Sequence, residues 1–266
     1  MRRILPLLVV VALALPSVAI AGGPGVNIRW DACYDDSGAA NKLFSCDTNT
    51  GSASLVLSLV MDAVMDSVSG MEIRVEFWSA SASLPDWWQF KNSGTCRQSS
   101  LSFSTILPPA AVNCSDWASG NAAGGIGSYT VNRFGPNMAT VLVAEAVPPT
   151  ALASLDPGTE YFLCRLTINH LKTVGTPSCT GCDVPVCVVF SAVNVDTPNL
   201  ANNRRFWTGA NDVASQLANW QNGSPVNPFI GGSTNLGGPL TTIEACVLSS
   251  TPTRNSTWGA VKALYR

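Results

Sequence analysis

Nine cysteines and a single histidine carry most of the reactive potential of this 266-residue chain: Cys33, Cys46, Cys96, Cys114, Cys164, Cys179, Cys182, Cys187, Cys246 and His170. Two chemistries suit that set. Cys179 and Cys182 stand at the Cys-x-x-Cys spacing that lets two thiolates share a tetrahedral zinc ion, and Cys187 and His170 complete a set of four ligands. The same sulfurs can instead be oxidised in pairs, which requires an oxidising compartment.

The first 21 residues decide between them. Arg2 and Arg3 make a cationic start, residues 4–15 form an apolar run broken only by Pro6, and Ala19-Ile20-Ala21 is a small-x-small cleavage site. This pattern reads as a secretory signal peptide over residues 1–21, with the mature chain starting at Gly22. A transmembrane anchor would need about 18 uninterrupted apolar residues, and no such stretch follows residue 21. An exported chain defaults to disulfides, so neither a metal nor a cofactor is expected. Pairing by nearest neighbours joins Cys33 to Cys46 and Cys96 to Cys114, with a further bridge inside 179–187 drawn from Cys179, Cys182 and Cys187. An odd count leaves a thiol over, and Cys164, inside the apolar run 161–166, is expected to be a buried free cysteine that packs as a small hydrophobe.

Other reactive constellations are thin. A lone histidine excludes much hydrolase chemistry that needs several imidazoles, and His170 reads more simply as a surface or strand-end residue. Neither Gly-x-Ser-x-Gly nor His-Glu-x-x-His nor a phosphate-cradling glycine loop occurs. Asp35-Asp36 and Asp47-x-Asn49-x-Gly51 offer oxygens to calcium, but from Asp47 the loop positions that require Gly and Glu hold Ser52 and Ser58. Turns held by Asx side chains are the better account. Trp87 and Trp88, beside Asp86 and Gln89, could stack on a sugar ring, and with Trp207 and Trp220 they are the candidate contact aromatics. The alternative is that adjacent aromatics on a strand point to opposite faces, one of them buried.

Those residues need a scaffold, and the patterning points to strands. Period-two or continuous apolar runs cover 26–33, 53–65, 71–78, 99–107, 128–134, 138–147, 160–169, 186–195 and 241–248, with a loop over 115–127. In 71–78 the odd positions are apolar while Glu72, Arg74 and Glu76 share the other face, which predicts one wet side. Residues 197–238 are rich in Asn, Gly, Ser and Pro and read as a long loop wrapping one domain that spans 22–248. Residues 249–266 read as a linker and an amphipathic tail: Trp258, Val261 and Tyr265 fall on one helical face, Lys262 and Arg266 lie at its carboxyl end, and docking or sorting is the expected use. With 15 Lys and Arg against 17 Asp and Glu, and only 12% charged residues, the chain lacks the basic face that nucleic acid or an acidic membrane demands.

The stretch 155–195 combines a Pro157-Gly158-Thr159-Glu160-Tyr161 turn into a strand, a Cys179-x-x-Cys182-x4-Cys187 hairpin and a following apolar strand. It resembles uncharacterised bacterial secreted proteins with cohesin-like β-sandwich domains, and the ending Trp258-Gly259-x-Val261-Lys262-x-Leu264-Tyr265-Arg266 is similar to tails on other exported proteins of such bacteria. The cysteine cluster departs from the ordinary cohesin pattern. The resemblance implies a noncatalytic extracellular module. The expected architecture is therefore all-β, an antiparallel β-sandwich of cohesin or Ig type with long loops and a short C-terminal helix or tail. The expected role is binding or surface assembly, through the long loop and the aromatics, on an extracellular protein or polysaccharide. Two alternatives remain open: a secreted polysaccharide-active hydrolase or carbohydrate-binding module, and an envelope or filament subunit with an unpaired strand edge.

Overall fold

Val, Ile, Leu and Thr runs bounded by Gly, Pro and Asn favour extended chain, because branched side chains pack well on a pleated surface. The computed structural model of the protein describes residues 24–91, 94–206, 213–230 and 241–249, and these residues are built of strands. In chain order they are β1 (Gly25–Trp30), β2 (Asn41–Lys42), β3 (Ser52–Val60), β4 (Met65–Val68), β5 (Gly70–Ser79), β6 (Leu101–Ser104), β7 (Cys114–Asp116), β8 (Ala123–Val131) and β9 (Met138–Ala146). There follow β10 (Ala153–Leu155), β11 (Glu160–Asn169), β12 (Val186–Asp196), β13 (Arg204–Phe206), β14 (Leu217–Trp220), β15 (Gly223–Val226), β16 (Phe229–Ile230), β17 (Thr241–Thr242) and β18 (Ala245–Leu248).

Two sheets make an all-β sandwich. A five-stranded sheet runs β1-β3-β11-β6 with β7 also on β11, and a seven-stranded sheet runs β2-β14-β12-β5-β9-β8 with β13 also on β12. The long pairings are antiparallel; only the short β7–β11 and β14–β2 pairs are parallel. The period of two sends Leu55, Leu57 and Leu59 of β3 and Leu166 and Ile168 of β11 to meet Ile73, Val75 and Phe77 of β5 and Val188 and Phe190 of β12 in one buried cluster. At 25 cal/mol per Å², a buried Leu or Phe contributes about 2 kcal/mol each, so this interlayer cluster is the main source of stability.

Four expectations about elements need correction. Residues 53–65 do form strand, but in two pieces, β3 and β4. The expected loop 115–127 contributes most of β7 and the start of β8. Residues 197–238 are not a structureless loop: they carry β13 to β16, and β13 and β14 both pair with β12. Apolar spacing failed to reveal these strands because each is only two to four residues long. Finally, β5 has no continuous wet side, since Arg74 and Glu76 are both only 3% exposed. The antiparallel β15–β18 pair and β17 lie across part of that outer face, and the small cluster of Cys187, Val189, Leu217, Ile243 and Cys246 packs there against Trp78. Gly223 permits the approach: a Cβ at this position would stand 2.7 Å from the Val186 carbonyl oxygen.

Every nearest-neighbour disulfide expectation is overturned. The bridges are Cys33–Cys114, Cys46–Cys182, Cys96–Cys179 and Cys187–Cys246, at sequence separations of 81, 136, 83 and 59. Sheet topology explains this. Cys33 sits with Val56, Cys114 and Phe162 in a small cluster of its own, whereas Cys46 packs against the main core. Cys164 is free and buried, as expected. Loops this long raise the chain-entropy contribution of each bridge from about 3 to about 4–5 kcal/mol. Among the described residues no helix is long and apolar enough to cross a membrane. The expected signal peptide, Trp207 and the tail residues Trp258, Val261, Lys262, Tyr265 and Arg266 lie outside the described residues.

Alkylation of the native, unreduced protein should label no thiol, and alkylation after denaturation without reduction should label one, Cys164, by peptide mass mapping. The Cys187→Ala/Cys246→Ala double variant should lose about 4 kcal/mol of unfolding free energy in a denaturant titration.

Candidate functional site

The residues singled out from sequence turn out to be structural. Cys179, Cys182 and Cys187 are each oxidised onto a different distant partner, so no thiolate pair is left to share zinc with His170. His170 is itself buried at the end of β11, stacked on Phe44 with ring centroids 3.8 Å apart, and its Nδ1 lies 3.0 Å from the Thr50 carbonyl oxygen. Burial holds its pKa below the ordinary imidazole value.

Trp87, Trp88 and Trp220 are fully buried and cannot be contact aromatics. Trp87 and Trp88 lie on a 3₁₀ turn, Asp86–Trp88, rather than on a strand. About 120° of rotation per residue in such a turn lets neighbours both reach inward, where a strand would send them apart. Together with Trp30 and Phe90 they plug the core, with Trp87 and Trp220 ring centroids 5.2 Å apart. Trp87 Nε1 donates to Thr173 Oγ1 at 3.0 Å and Trp220 Nε1 to the Cys182 carbonyl at 2.7 Å, whereas Trp88 Nε1 finds no acceptor among the described residues. The Arg97 guanidinium lies 3.6 Å from the Trp87 ring centroid and donates to the Trp87 carbonyl at 3.1 Å. Burial brings its pKa down to about 9.

The acidic loops are clasps between distant segments. Asp36 accepts from the amides of Val112 at 3.2 Å and Asn113 at 2.9 Å, and Asn49 Oδ1 accepts from those of Thr173 at 2.8 Å and Val174 at 3.0 Å. Local Asx turns were expected; these partners instead lie far along the chain, while Asp47 keeps a local one, accepting from Ser45 Oγ at 2.5 Å. Among the described residues the group with metal-ligand proximity is Cys33, Asp36 and Cys114, and two of these three are joined to each other.

What sequence reasoning missed lies on the outer face of the seven-stranded sheet. A cavity of about 240 Å³ opens there, lined by Glu72 and Arg74 of β5, Leu142 and Ala144 of β9, Ala192 of β12 and Arg205 of β13. It sits between two β-bulges. The β12–β5 register shifts between Phe190 and Ala192, and the β8–β9 register shifts between Ile126 and Ser128. In an unbroken β12, position 192 would follow Phe190 into the core; the extra residue Ser191 turns Ala192 and Asn194 outward instead. A small side chain thereby stands opposite Arg74, which also pairs with Leu142 on its other flank. Gly127, the extra residue of the second bulge, lines the cavity as well.

Arg74 is the focus. Its Nη2 is 2.7 Å from Glu76 Oε1, with both side chains at most 4% exposed, and the Phe134 ring covers the guanidinium carbon at 4.8 Å. The Nε and Nη1 groups find no acceptor on the protein among the described residues. Burial pulls the Arg74 pKa below its usual value, Glu76 opposes that, and Arg133 and Arg205 add to it. Burial pushes the Glu76 carboxyl up, while Arg74 draws it back. The guanidinium groups of Arg74, Arg133 and Arg205 thus gather with the carboxylates of Glu72, Glu76 and Asp196. The arrangement can hold an acceptor-rich, negatively charged group against an apolar wall. Neither family models nor curated proteins nor solved structures give any match to this chain.

Removing one partner of a buried ion pair strands the other. Arg74→Met should therefore destabilise the protein by about 3–5 kcal/mol in chemical denaturation, and adding Glu76→Leu should recover most of that loss. A second prediction concerns the core acid Glu145, which accepts from Trp117 Nε1 at 3.0 Å. Burial raises its pKa from 4.5 to about 8, so the native state keeps a proton that the unfolded chain releases. Stability should be full below pH 4.5 and fall as pH rises toward 8, with a shallower slope in Glu145→Gln, read from denaturation midpoints across that range.

Proposed function

We propose that this is an exported, noncatalytic binding module that engages an extracellular protein or polysaccharide through the outer face of the seven-stranded sheet. One observation carries the reading. A buried arginine with unused donors borders an apolar cavity between two bulges, and buried ion pairs contribute so little net stability that folding alone does not account for one. Four disulfides suit a protein working where no soluble reductant reaches it. Burial of Trp87, Trp88 and Trp220 speaks against three of the contact aromatics expected from sequence and favours the bulged sheet face as the contact region.

A polysaccharide hydrolase needs two carboxyls facing each other across the scissile bond. The outer-face cavity is lined by one carboxylate, Glu72, while Glu76 is committed to Arg74; the shallower groove lined by Leu84, Pro85, Asp86, Gln89 and Thr180 also offers a single acid. Binding without turnover is the better account. A second reading, self-assembly, draws on β8, which among the described residues pairs with β9 alone and is largely exposed from Ala123 to Gly127.

Incubation with neutral and acidic polysaccharides and with extracellular matrix proteins should give saturable retention with no release of reducing ends or peptides. Hydroxyl-radical footprinting of the retained protein should protect Leu142 and Ala144, whereas turnover or a footprint confined to the five-stranded sheet would overturn the proposal. Light scattering that shows growing mass with concentration and a footprint along β8 would favour assembly instead.

A further inference from the structure

Resting on the reading that the bulged sheet face is the contact surface, we infer that its cavity binds a small monocarboxylate with an apolar body. The donors call for an acceptor: Arg74 lines the cavity, is 3% exposed, and has Nε and Nη1 without an acceptor on the protein. Each of these N–H groups can give a charge-assisted hydrogen bond, which a carboxylate oxygen accepts more strongly than a neutral one. The walls call for the apolar body, since the side chains of Leu142, Ala144 and Ala192 line the same face beside Gly127. A dianion such as phosphate would bring a second charge into an apolar site, a desolvation cost that a monocarboxylate avoids. Size limits the buried part too, because about 240 Å³ suits a handful of heavy atoms.

Isothermal titration and amide chemical-shift mapping of the oxidised protein test this with 4-methylpentanoate, its neutral amide and inorganic phosphate. The carboxylate should bind saturably with shifts at Arg74, Leu142 and Ala144, and at least about tenfold more tightly than the amide or phosphate. Arg74→Lys, which keeps the charge beside Glu76 but loses the Nε and Nη1 donors, should weaken binding by about tenfold. Ala144→Phe, at an exposed position that fills the cavity without touching the ion pair, should abolish it; thermal melting verifies that both variants fold. Peptides ending in Leu with free or amidated C-termini distinguish a chain end from a free acid, and preference for the free carboxylate in either source supports the inference. Equal binding of acid and amide, tighter binding of phosphate, or no saturable binding of any carboxylate overturns it. If macromolecular retention on the sheet face persists in those cases, the binding-module reading survives and this inference alone falls.

Discussion

Cross-linking of segments 59 to 136 residues apart is the constraint under which every other interaction in this protein operates. The strands are numerous and many are very short, and a two- or four-residue strand cannot hold its place by ladder hydrogen bonds alone. Cys187–Cys246 pins the antiparallel β15–β18 pair onto the outer face of β12. Cys46–Cys182 and Cys96–Cys179 tie the loops at the end of the sandwich where the tryptophans meet, and Cys33–Cys114 ties the start of the chain to β7. Each bridge acts chiefly on the unfolded ensemble, whose freedom it removes. The folded state can therefore tolerate features that a small hydrophobic gain would not offset.

Those features are buried polar groups. Glu160 reaches the amides of Tyr34 and Asp35 and the Ser58 hydroxyl, so its burial serves to anchor the loop after β1. Arg97 is met by two carbonyls and an indole face. Glu160 is explained by its donors, and Arg97 leaves only its Nε without an acceptor. Arg74 leaves two nitrogens, Nε and Nη1, without one, because its partner Glu76 engages Nη2 alone. That contrast, more than the cavity itself, separates a binding site from a structural clasp. The bulges make it possible: by shifting register on either side of β5 and β9, they replace a continuous outer wall with small residues and leave room above the guanidinium.

Much of the fold was legible beforehand. Residues 160–169 were expected as strand and form β11 over the same span, and 138–147 and 186–195 differ from β9 and β12 by a single residue at the C-terminal end. The site was not legible. Arg74 and Glu76 looked like the wet face of an alternating strand, because alternation reports which residues share a face and not what later packs against it. The one available signal was an opposite-charge pair at i and i+2 on that face, which many solvated strands also show. Trp87 and Trp88 misled for a related reason: two adjacent indoles mean different things on a strand and on a 3₁₀ turn, and Pro85-Asp86 sets the latter.

Local preferences were therefore settled by the amino-acid sequence on its own: which stretches are extended, where proline and glycine end them, and that an odd number of cysteines leaves one sulfur unpaired. Those follow from sterics and chemistry within a few residues of each position. Which sulfurs meet, which face of β5 is covered, and where a bulge turns Ala192 toward Arg74 were decided only by tertiary structure. They depend on register between strands remote in the chain, and a shift of one residue sends a side chain to the opposite face without altering any local preference.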